Sequence, residues 1–272
     1  MINMMKADLY RIFRGTGIYI AILIMIALTV TSIVMKEPGY IGNASVTYDD
    51  ETIAEVSEFI PTETSDNQEE HKMLVRSILG HNTNLYYPMI ILVFVILMSD
   101  FSNKTLKNTL TSAVSKRRYF SYKLLMSLGF CAVFITLSNL FVYTLNYIVY
   151  GRAYTEPIIN ILKVTVLQMP MLLGIVCFLV FIGFLTRKTA LYNAVTIPFV
   201  MIYQIIFGAI YSLTESDLLE KYLTKYELQM ALDRLSRFPD TGYCINCACI
   251  GIFEIAIFAV LSWLIFRKTE VR

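Results

Sequence analysis

The sequence predicts an all-α protein that crosses a membrane six times, with both termini in the cytoplasm. Three observations lead to this fold class. Hydrophobic residues make up 56% of the chain and charged residues only 16%, far from the composition of an average soluble domain. Six long apolar segments approach or reach the roughly 20 residues that a helix needs to cross a bilayer. The loops between them alternate in the sign of their charge, and together these features exclude a water-soluble core.

The six predicted spans form a single transmembrane domain that takes up the whole chain, 1–272. Only the second segment is short, and it can lengthen by a turn into its polar flanks. The spans are residues 18–35, 83–100, 124–150, 164–186, 190–213 and 245–266.

The orientation follows from the lysines and arginines, because short basic loops remain cytoplasmic. One set of segments holds 14 basic and 3 acidic residues: the N-terminal segment, the loops 101–123 and 187–189 with the flanking Asp100, and the C-terminal tail. The segments 36–84, 151–163 and 214–243 hold 17 acidic and 9 basic residues. An even number of crossings places both termini on the same side, which the basic excess predicts to be the cytoplasm.

Residues 1–17 precede the first span and have the pattern of an amphipathic helix. Ile2, Met5, Leu9, Ile12 and Phe13 recur at helical spacing, with charged residues between them. Such a helix is suited to lying on the inner membrane surface with its basic residues toward anionic headgroups. The apolar run that follows is longer than the core of a usual signal peptide and lacks a small-x-small cleavage site.

Both long outer loops, 36–82 and 214–243, are expected to contain helical structure. In the first, the stretch 66–69 has capping-box spacing before an apolar run that ends at Leu79. In the second, apolar residues from Leu218 to Leu235 fit one helical face, with Ser216 or Asp217 as the cap. An amphipathic helix is therefore expected before the last span, either as a packing element or in contact with a substrate.

No catalytic or metal-binding constellation is found, so the sequence predicts neither an enzyme nor a bound cofactor. The two histidines, His71 and His81, are ten residues apart and fit no standard zinc motif. HExxH, P-loop, GxSxG and GxGxxG patterns are absent. Cys244, Cys247 and Cys249 form a cluster without a nearby fourth ligand, which favours structural packing over a metal or a disulfide. The chain therefore has no nucleotide site of its own.

Polar residues inside the spans are candidates for a substrate path, because such residues are costly to bury in lipid. The amides among them have an alternative role as hydrogen-bonding links between helices. Glu254 differs, since a lone carboxylate near mid-span is a functional-site hypothesis by default. The candidates are Asn139, Asn146, Gln168, Gln204 and Glu254.

The loop after the second span resembles the first cytoplasmic loop of ABC-2-type permeases. The resemblance is carried by Asp100, by NKTLK at 103–107, by VSKR at 114–117 and by Lys123 at the entry to the third span. The chain departs from that pattern where glycine is usual in the first stretch and where proline is common before the second. The resemblance extends to the order of parts: interfacial helix, six spans, basic first cytoplasmic loop and a helix-containing outer loop before the last span.

The resemblance implies the membrane subunit of a bacterial exporter in the plasma membrane. The loop would be a coupling helix that docks on a separate ATP-binding subunit, and the permease would pair with a second copy or a paralogue. The cargo would be a peptide such as an antimicrobial peptide, a drug or another amphiphile, and nucleic acid is not an expected partner. The predicted docking residues are Lys104, Leu106, Lys107, Leu110, Val114, Lys116 and Arg117.

Two other function classes remain open at this point. One is a non-transporting sensor or immunity protein that binds a peptide at its outer loops. The other is a secondary transporter, which would be expected to carry several titratable residues within its spans and visible internal repeats. Among the six spans, only Glu254 is an ionisable residue deep in the apolar stretch, which favours the ATP-driven permease.

Overall fold

The computed structural model describes residues 2–35, 75–102, 115–151, 155–213 and 226–268. Every regular element within these ranges is helical, which confirms the predicted all-α class. The helices are α1 (Ile2–Arg14), α2 (Thr16–Met35), α3 (residues 75–80), a 3₁₀ turn (Asn82–Leu85), α4 (Tyr86–Val93), a π-helical segment (Phe94–Met98), α5 (Ser99–Ser102), α6 (Lys116–Tyr150), α7 (Ile158–Thr186), α8 (Thr189–Leu213), α9 (Leu228–Ser236) and α10 (Thr241–Lys268).

Five helical stretches among the described residues are long and apolar enough to cross a membrane. They match five of the six predicted spans. Helix α8, with 25 residues, corresponds to the remaining predicted span, and a six-span arrangement stays a prediction. The five stretches are Thr16–Val34, Asn82–Phe101, Lys116–Tyr150, Ile158–Thr186 and Thr241–Lys268.

Several of these helices extend past the apolar segments that predicted them. Helix α6 begins at Lys116 rather than near residue 124, because the Ser115 hydroxyl accepts a hydrogen bond from the Arg118 backbone N–H and caps the first turn. Helices α7 and α10 likewise begin several residues early. Hydropathy detects only the part of a helix suited to hydrocarbon, so polar first turns escape it.

Helix α7 is the central element of the bundle, and its most extensive packing is with α10. The two backbones approach closely at Gly251. A Cβ atom there would lie 2.5 Å from the carbonyl carbon of Pro170 and 2.6 Å from the Met171 nitrogen. Small residues at such a crossing allow the close helix contact on which packing in membranes depends.

The bundle has two distinct ends. At one, called the α1 end, Tyr119 and Phe120 near the start of α6 pack against Phe266 near the end of α10. Helix α1 docks at this same end through Arg11, so both described chain ends lie together. At the opposite α9 end, α9 packs on α7 and on the 3₁₀ turn before α4.

The outer surface of the bundle carries many large apolar side chains. Soluble monomers rarely expose contiguous apolar patches beyond a few hundred Å². Here Leu23, Leu125, Ile148, Val166 and Phe253 are each more than half exposed, and they come from four different long helices. Lipid is the natural neighbour of such a surface.

Part of the predicted loop structure lies outside the described residues. This applies to most of the loop 36–82, to 103–114 and to 214–225. In the last loop, α9 begins at Leu228 and is capped by Glu227. The extended backbone of Glu227 separates α9 from the preceding Tyr226. The continuous face drawn from Leu218 to Leu235 is therefore interrupted at Glu227, because its carboxylate accepts the Met230 backbone N–H and starts a new helix.

Candidate functional site

Four charged residues form an ion-pair cluster at the α1 end: the buried Asp8, Asp100 and Lys123, and the partly buried Arg11. The Nζ atom of Lys123 lies 2.7 Å from Oδ2 of Asp8 and 2.7 Å from Oδ2 of Asp100. Arg11 pairs with the same two carboxylates. Lys123 is only 1% exposed, and the two aspartates are 8% and 6% exposed. Two positive and two negative charges thus balance one another, and the Arg11 side chain, 29% exposed, keeps contact with solvent.

Two tyrosines complete the hydrogen bonding of the aspartates. The Tyr119 hydroxyl donates to Asp100 and the Tyr122 hydroxyl donates to Asp8, each at 2.8 Å. Buried charges are tolerated when each is paired and further hydrogen-bonded. The sequence placed Asp100 and Lys123 in one pattern, but only the fold adds Asp8 from α1.

The π-helical segment Phe94–Met98 supplies a backbone acceptor to the cluster. The carbonyl of Ile96 accepts from Lys123 Nζ at 3.0 Å and from the Arg11 guanidinium at 3.3 Å. A π-type turn widens the helix and changes the pattern of its carbonyl hydrogen bonds. The irregular turn therefore coincides with the point where both cations meet the backbone.

The position of Arg11 corrects one expectation. The sequence placed its guanidinium toward lipid headgroups, whereas the structure turns it inward to Asp100. Burial opposes its charge, but the carboxylates of Asp100 and Asp8 outweigh that effect and raise the pKa of Arg11 above its usual value. The apolar residues Tyr10 and Phe13 instead lie on the exposed side of α1.

The cluster lies at both ends of the loop that resembles a coupling helix. Asp100 directly precedes that loop, 101–123, and Lys123 is its last residue. Arg117 is exposed at the start of α6, and Lys116 is half-buried there. The other predicted docking residues lie outside the described part of the chain. These are Lys104, Leu106, Lys107, Leu110 and Val114.

A cavity of about 260 Å³ lies toward the α9 end, between α4, α7, α8, α10 and the start of α9. Seven of its sixteen described lining residues are aromatic. Phe178 is the centre of the aromatic packing, with ring centroids 4.5 Å from Phe199 and 5.3 Å from Phe258. The lining residues are Thr83, Asn84, Tyr86, Tyr87, Met171, Gly174, Ile175, Phe178, Phe199, Tyr203, Tyr226, Glu227, Leu228, Gln229, Glu254 and Phe258.

Of the predicted substrate-path residues whose side chains the structure describes, Glu254 alone lines this cavity. It lies at the middle of the 28-residue helix α10, packed against Gly174, where a Cβ atom would collide with its carboxylate. No described residue forms a hydrogen bond or an ion pair with the Glu254 side chain. The glycine on α7 therefore makes room for a carboxylate that the rest of the described chain leaves unpaired.

Glu227 is a second carboxylate in the cavity wall, and sequence analysis did not single it out. It caps α9 by accepting the Met230 N–H at 2.9 Å, and it accepts from the Tyr203 hydroxyl at 3.3 Å. Burial raises the pKa of Glu227, while these hydrogen bonds act in the opposite direction. A glutamate is an unusual N-cap residue, so no local signal in the sequence marked it.

The buried amides among the predicted path residues connect helices. Gln168 donates to the carbonyls of Leu79 and Leu232, at 3.0 and 2.8 Å, and accepts from Asn82 at 2.7 Å. It thereby joins α7 to α3, to α9 and to the 3₁₀ turn. None of the three described amides, Gln168, Asn139 or Asn146, lines the cavity.

The two asparagines of α6 form one inter-element hydrogen bond each. Asn139 donates to Thr165 at 2.9 Å, and Asn146 accepts from Thr155 at 3.0 Å. The Asn139 contact links α6 to α7, which matches the alternative role of such amides, whereas the Asn146 contact ties α6 to the connection before α7. Gln204 lies on α8, and its side chain is outside the described residues.

The cysteines and histidines do not assemble into a centre in the described part of the chain. All five cysteines are free thiols. Among the described residues, no group of three or more His, Cys, Asp or Glu side chains could hold a metal ion. His81 contacts the Ser77 carbonyl through Nδ1 at 2.8 Å, and His71 lies outside the described ranges.

Comparison with known families assigns the chain to one of them. A family model described as "Protein of unknown function (DUF2705)" matches residues 23–272. The chain belongs to the DUF2705 family. No curated protein and no solved structure matches this DUF2705 member. The matched region takes in both lining carboxylates of the cavity and the Asp100 and Lys123 half of the ion-pair cluster, whereas Asp8 and Arg11 precede it.

Proposed function

We propose that this chain is the membrane-spanning subunit of an ABC-2-type exporter, driven by ATP hydrolysis in a separate subunit. Its setting would be the bacterial plasma membrane, with six spans, both termini cytoplasmic and a second permease copy or paralogue alongside. The cargo class would be a peptide, drug or other amphiphile. The observation that carries the proposal is the ion-pair cluster, whose members Asp100 and Lys123 lie at the two ends of the predicted coupling loop 101–123.

The cluster has the mechanical property that coupling requires. A cytosolic ATPase can move a permease only if force on the docking loop reaches the spans as rigid-body motion. Asp100 and Lys123, at the two sides of the loop, are bonded to each other and to α1. Displacement of the loop would therefore move α1, α5 and the start of α6 as one unit.

The surface at this end has the charge that a docking role needs. Arg117 and Arg118 are exposed at the start of α6, next to the loop with its further lysines. Exposed basic residues can contact acidic residues of a partner or anionic headgroups. The buried Lys123 and the partly buried Arg11 are by contrast committed to internal pairs.

Co-purification tests the proposal directly. The tagged chain, gently solubilised from native membranes, should bring down a stoichiometric P-loop ATPase identified by mass spectrometry. The double change Leu106→Glu and Leu110→Glu should abolish this, because it places two charges on the predicted docking face. Asn108→Glu with Ser112→Glu is the matched control, since helical spacing would place these two positions on the opposite face of the predicted docking helix.

The outcomes separate the function classes. Loss of the ATPase with the leucine pair and its retention with the control support docking through this face. Absence of any ATPase from the unmodified chain, in membranes where other transporters keep theirs, would favour a sensor or a secondary transporter. Equal recovery with both double variants would refute docking through Leu106 and Leu110.

The orientation has its own test. A cysteine introduced as Ser57→Cys, in a background carrying Cys244→Ser, should react with a membrane-impermeant maleimide on intact cells. The loop 36–84 has no native cysteine, so any labelling there reports the new thiol. Labelling that appears only after cell lysis would overturn the proposed orientation.

A further inference from the structure

The aromatic cavity combines features that recognise a particular class of ligand. About 260 Å³ is below the roughly 300–1,000 Å³ of pockets that hold drug-sized molecules. The occupant is therefore limited to a small molecule or a single headgroup. Seven phenylalanine and tyrosine side chains line the wall, and two glutamates are the charged groups among the lining residues.

The charged side chains described in the cavity wall are both carboxylates. Among the residues that the structure describes, no lysine, arginine or histidine lines the cavity. Three described cations form ion pairs away from this cavity: Lys123 and Arg11 in the ion-pair cluster, and Arg76 with Glu156. Burying a carboxylate at mid-span without a neighbouring cation costs free energy. A cationic ligand would supply the opposite charge that Glu254 lacks.

The aromatic rings favour the same ligand sign. The faces of Phe and Tyr rings attract ammonium groups, and aromatic cages recognise quaternary ammonium ligands in this way. Phe178, Phe199 and Tyr203 follow one another along the wall, with 6.3 Å between the centroids of the last two. Tyr203 also connects this row to Glu227 through its hydroxyl.

We infer that this cavity binds a small organic ammonium ion, with Glu254 as the counter-ion and the aromatic row around its apolar body. Glu227 is the second carboxylate at the mouth formed by the start of α9. The ammonium group could belong to a free amine or to a lipid headgroup, since both present the same chemistry. Binding itself requires no ATPase, so the site stands apart from the proposed function; only its interpretation as a cargo site rests on that proposal.

Equilibrium binding of a radiolabelled probe tests the inference. Tritiated benzyltrimethylammonium is titrated onto the purified full chain in phosphatidylglycerol nanodiscs, with neopentylbenzene as an uncharged competitor of the same shape. The cation should bind saturably, and the neutral molecule should compete poorly. Equal competition by the neutral molecule, or no saturable binding of the cation, would overturn the inference.

Variants locate the site. Glu254→Gln should weaken binding by about tenfold or more, because it removes the charge-assisted contact while keeping the side-chain shape. Glu227→Gln should weaken it less, since that carboxylate already accepts two protein hydrogen bonds. Asp240→Asn, an exposed position before α10 that does not line the cavity, should leave affinity unchanged. Unaltered affinity in both glutamate variants, each confirmed as folded by its unfolding midpoint, would refute the assignment.

Nanodisc composition distinguishes the two sources of the ammonium group. If phosphatidylethanolamine in the nanodisc suppresses probe binding, the natural occupant is a lipid headgroup. If binding is unchanged, the occupant is a free organic cation. Either result supports an ammonium site, and neither depends on whether an ATPase co-purifies.

Discussion

Replacing Lys123 by methionine is the most informative perturbation of the ion-pair cluster. The side chains are of similar length, so the change removes the charge with little loss of packing. Lys123→Met deletes the two 2.7 Å contacts to Asp8 and Asp100 and leaves two buried carboxylates facing Arg11 alone. Removing one partner of a buried ion pair costs about 3–5 kcal/mol.

This loss of folding free energy can be converted into a shift of the thermal unfolding midpoint. For a chain of this size, 1 kcal/mol corresponds to roughly 2–4 °C, so Lys123→Met should lower the midpoint by about 10 °C. Buried Cys131, Cys177 and Cys247 can report unfolding through a thiol-reactive dye. Cys244→Ser and Cys249→Ser remove the more accessible thiols from the background first.

A charge-compensating variant tests the reasoning itself. Lys123→Met with Asp100→Asn restores an equal number of positive and negative charges, with Asp8 still paired to Arg11. The double variant should therefore recover part of the lost stability. Lys163→Met, the same substitution at an exposed site, should change the midpoint by less than about 2 °C, as surface substitutions usually do. A double variant no more stable than Lys123→Met alone would refute the charge-balance argument.

Three further predictions use the same thermal assay. Gly251→Ala should destabilise the protein by about 1–3 kcal/mol, because its Cβ atom would meet the Pro170 backbone at 2.5 Å. Gly129→Ala is the control: with no neighbour within 4 Å, it should be neutral or slightly stabilising. Similar losses of stability in both variants would contradict the packing argument. Gln168→Leu should lower the free energy of unfolding by about 2–4 kcal/mol, since it leaves the carbonyls of Leu79 and Leu232 and the amide of Asn82 without their partner. An unchanged thermal midpoint would show that α9 docks without the Gln168 hydrogen bonds. Because burial raises the pKa of Glu227, the folded protein binds a proton there at a higher pH than the unfolded chain, so this residue adds stability as the pH falls through its raised pKa. Glu227→Gln should remove that increment, and an identical pH dependence in both proteins would contradict it.

The ion-pair cluster shows how far sequence reasoning reached. Asp100 and Lys123 were recognised as parts of one loop pattern, and Asp8 lies four residues before Ile12, which is buried on the same face of α1. That spacing was a usable signal that Asp8 points inward. Nothing in the sequence showed that α1 would dock at Asp100, because the contact joins positions about ninety residues apart through tertiary packing.

The candidate path residues show the opposite case. Their polarity in apolar segments marked them as candidates, and Asn139, Asn146 and Gln168 are indeed buried, but the sequence did not show what they contact. Gln168 binds backbone carbonyls of α3 and α9, which carry no side-chain signature in the sequence. Glu227 was missed because its capping role depends on where α9 begins, and the apolar spacing on both sides suggested an uninterrupted helix.

The sequence by itself determined the all-helical class and the approximate position of each long apolar helix, because hydrocarbon-length apolar runs satisfy their backbone only as helices in lipid. It also marked Glu254 as an exceptional residue. Only the tertiary structure decided which charges meet at the α1 end, which amides join helices, and that Glu254 and Glu227 share one aromatic cavity. Those outcomes depend on helix rotation and crossing, which are set by contacts such as Gly251 against Pro170 and not by hydropathy.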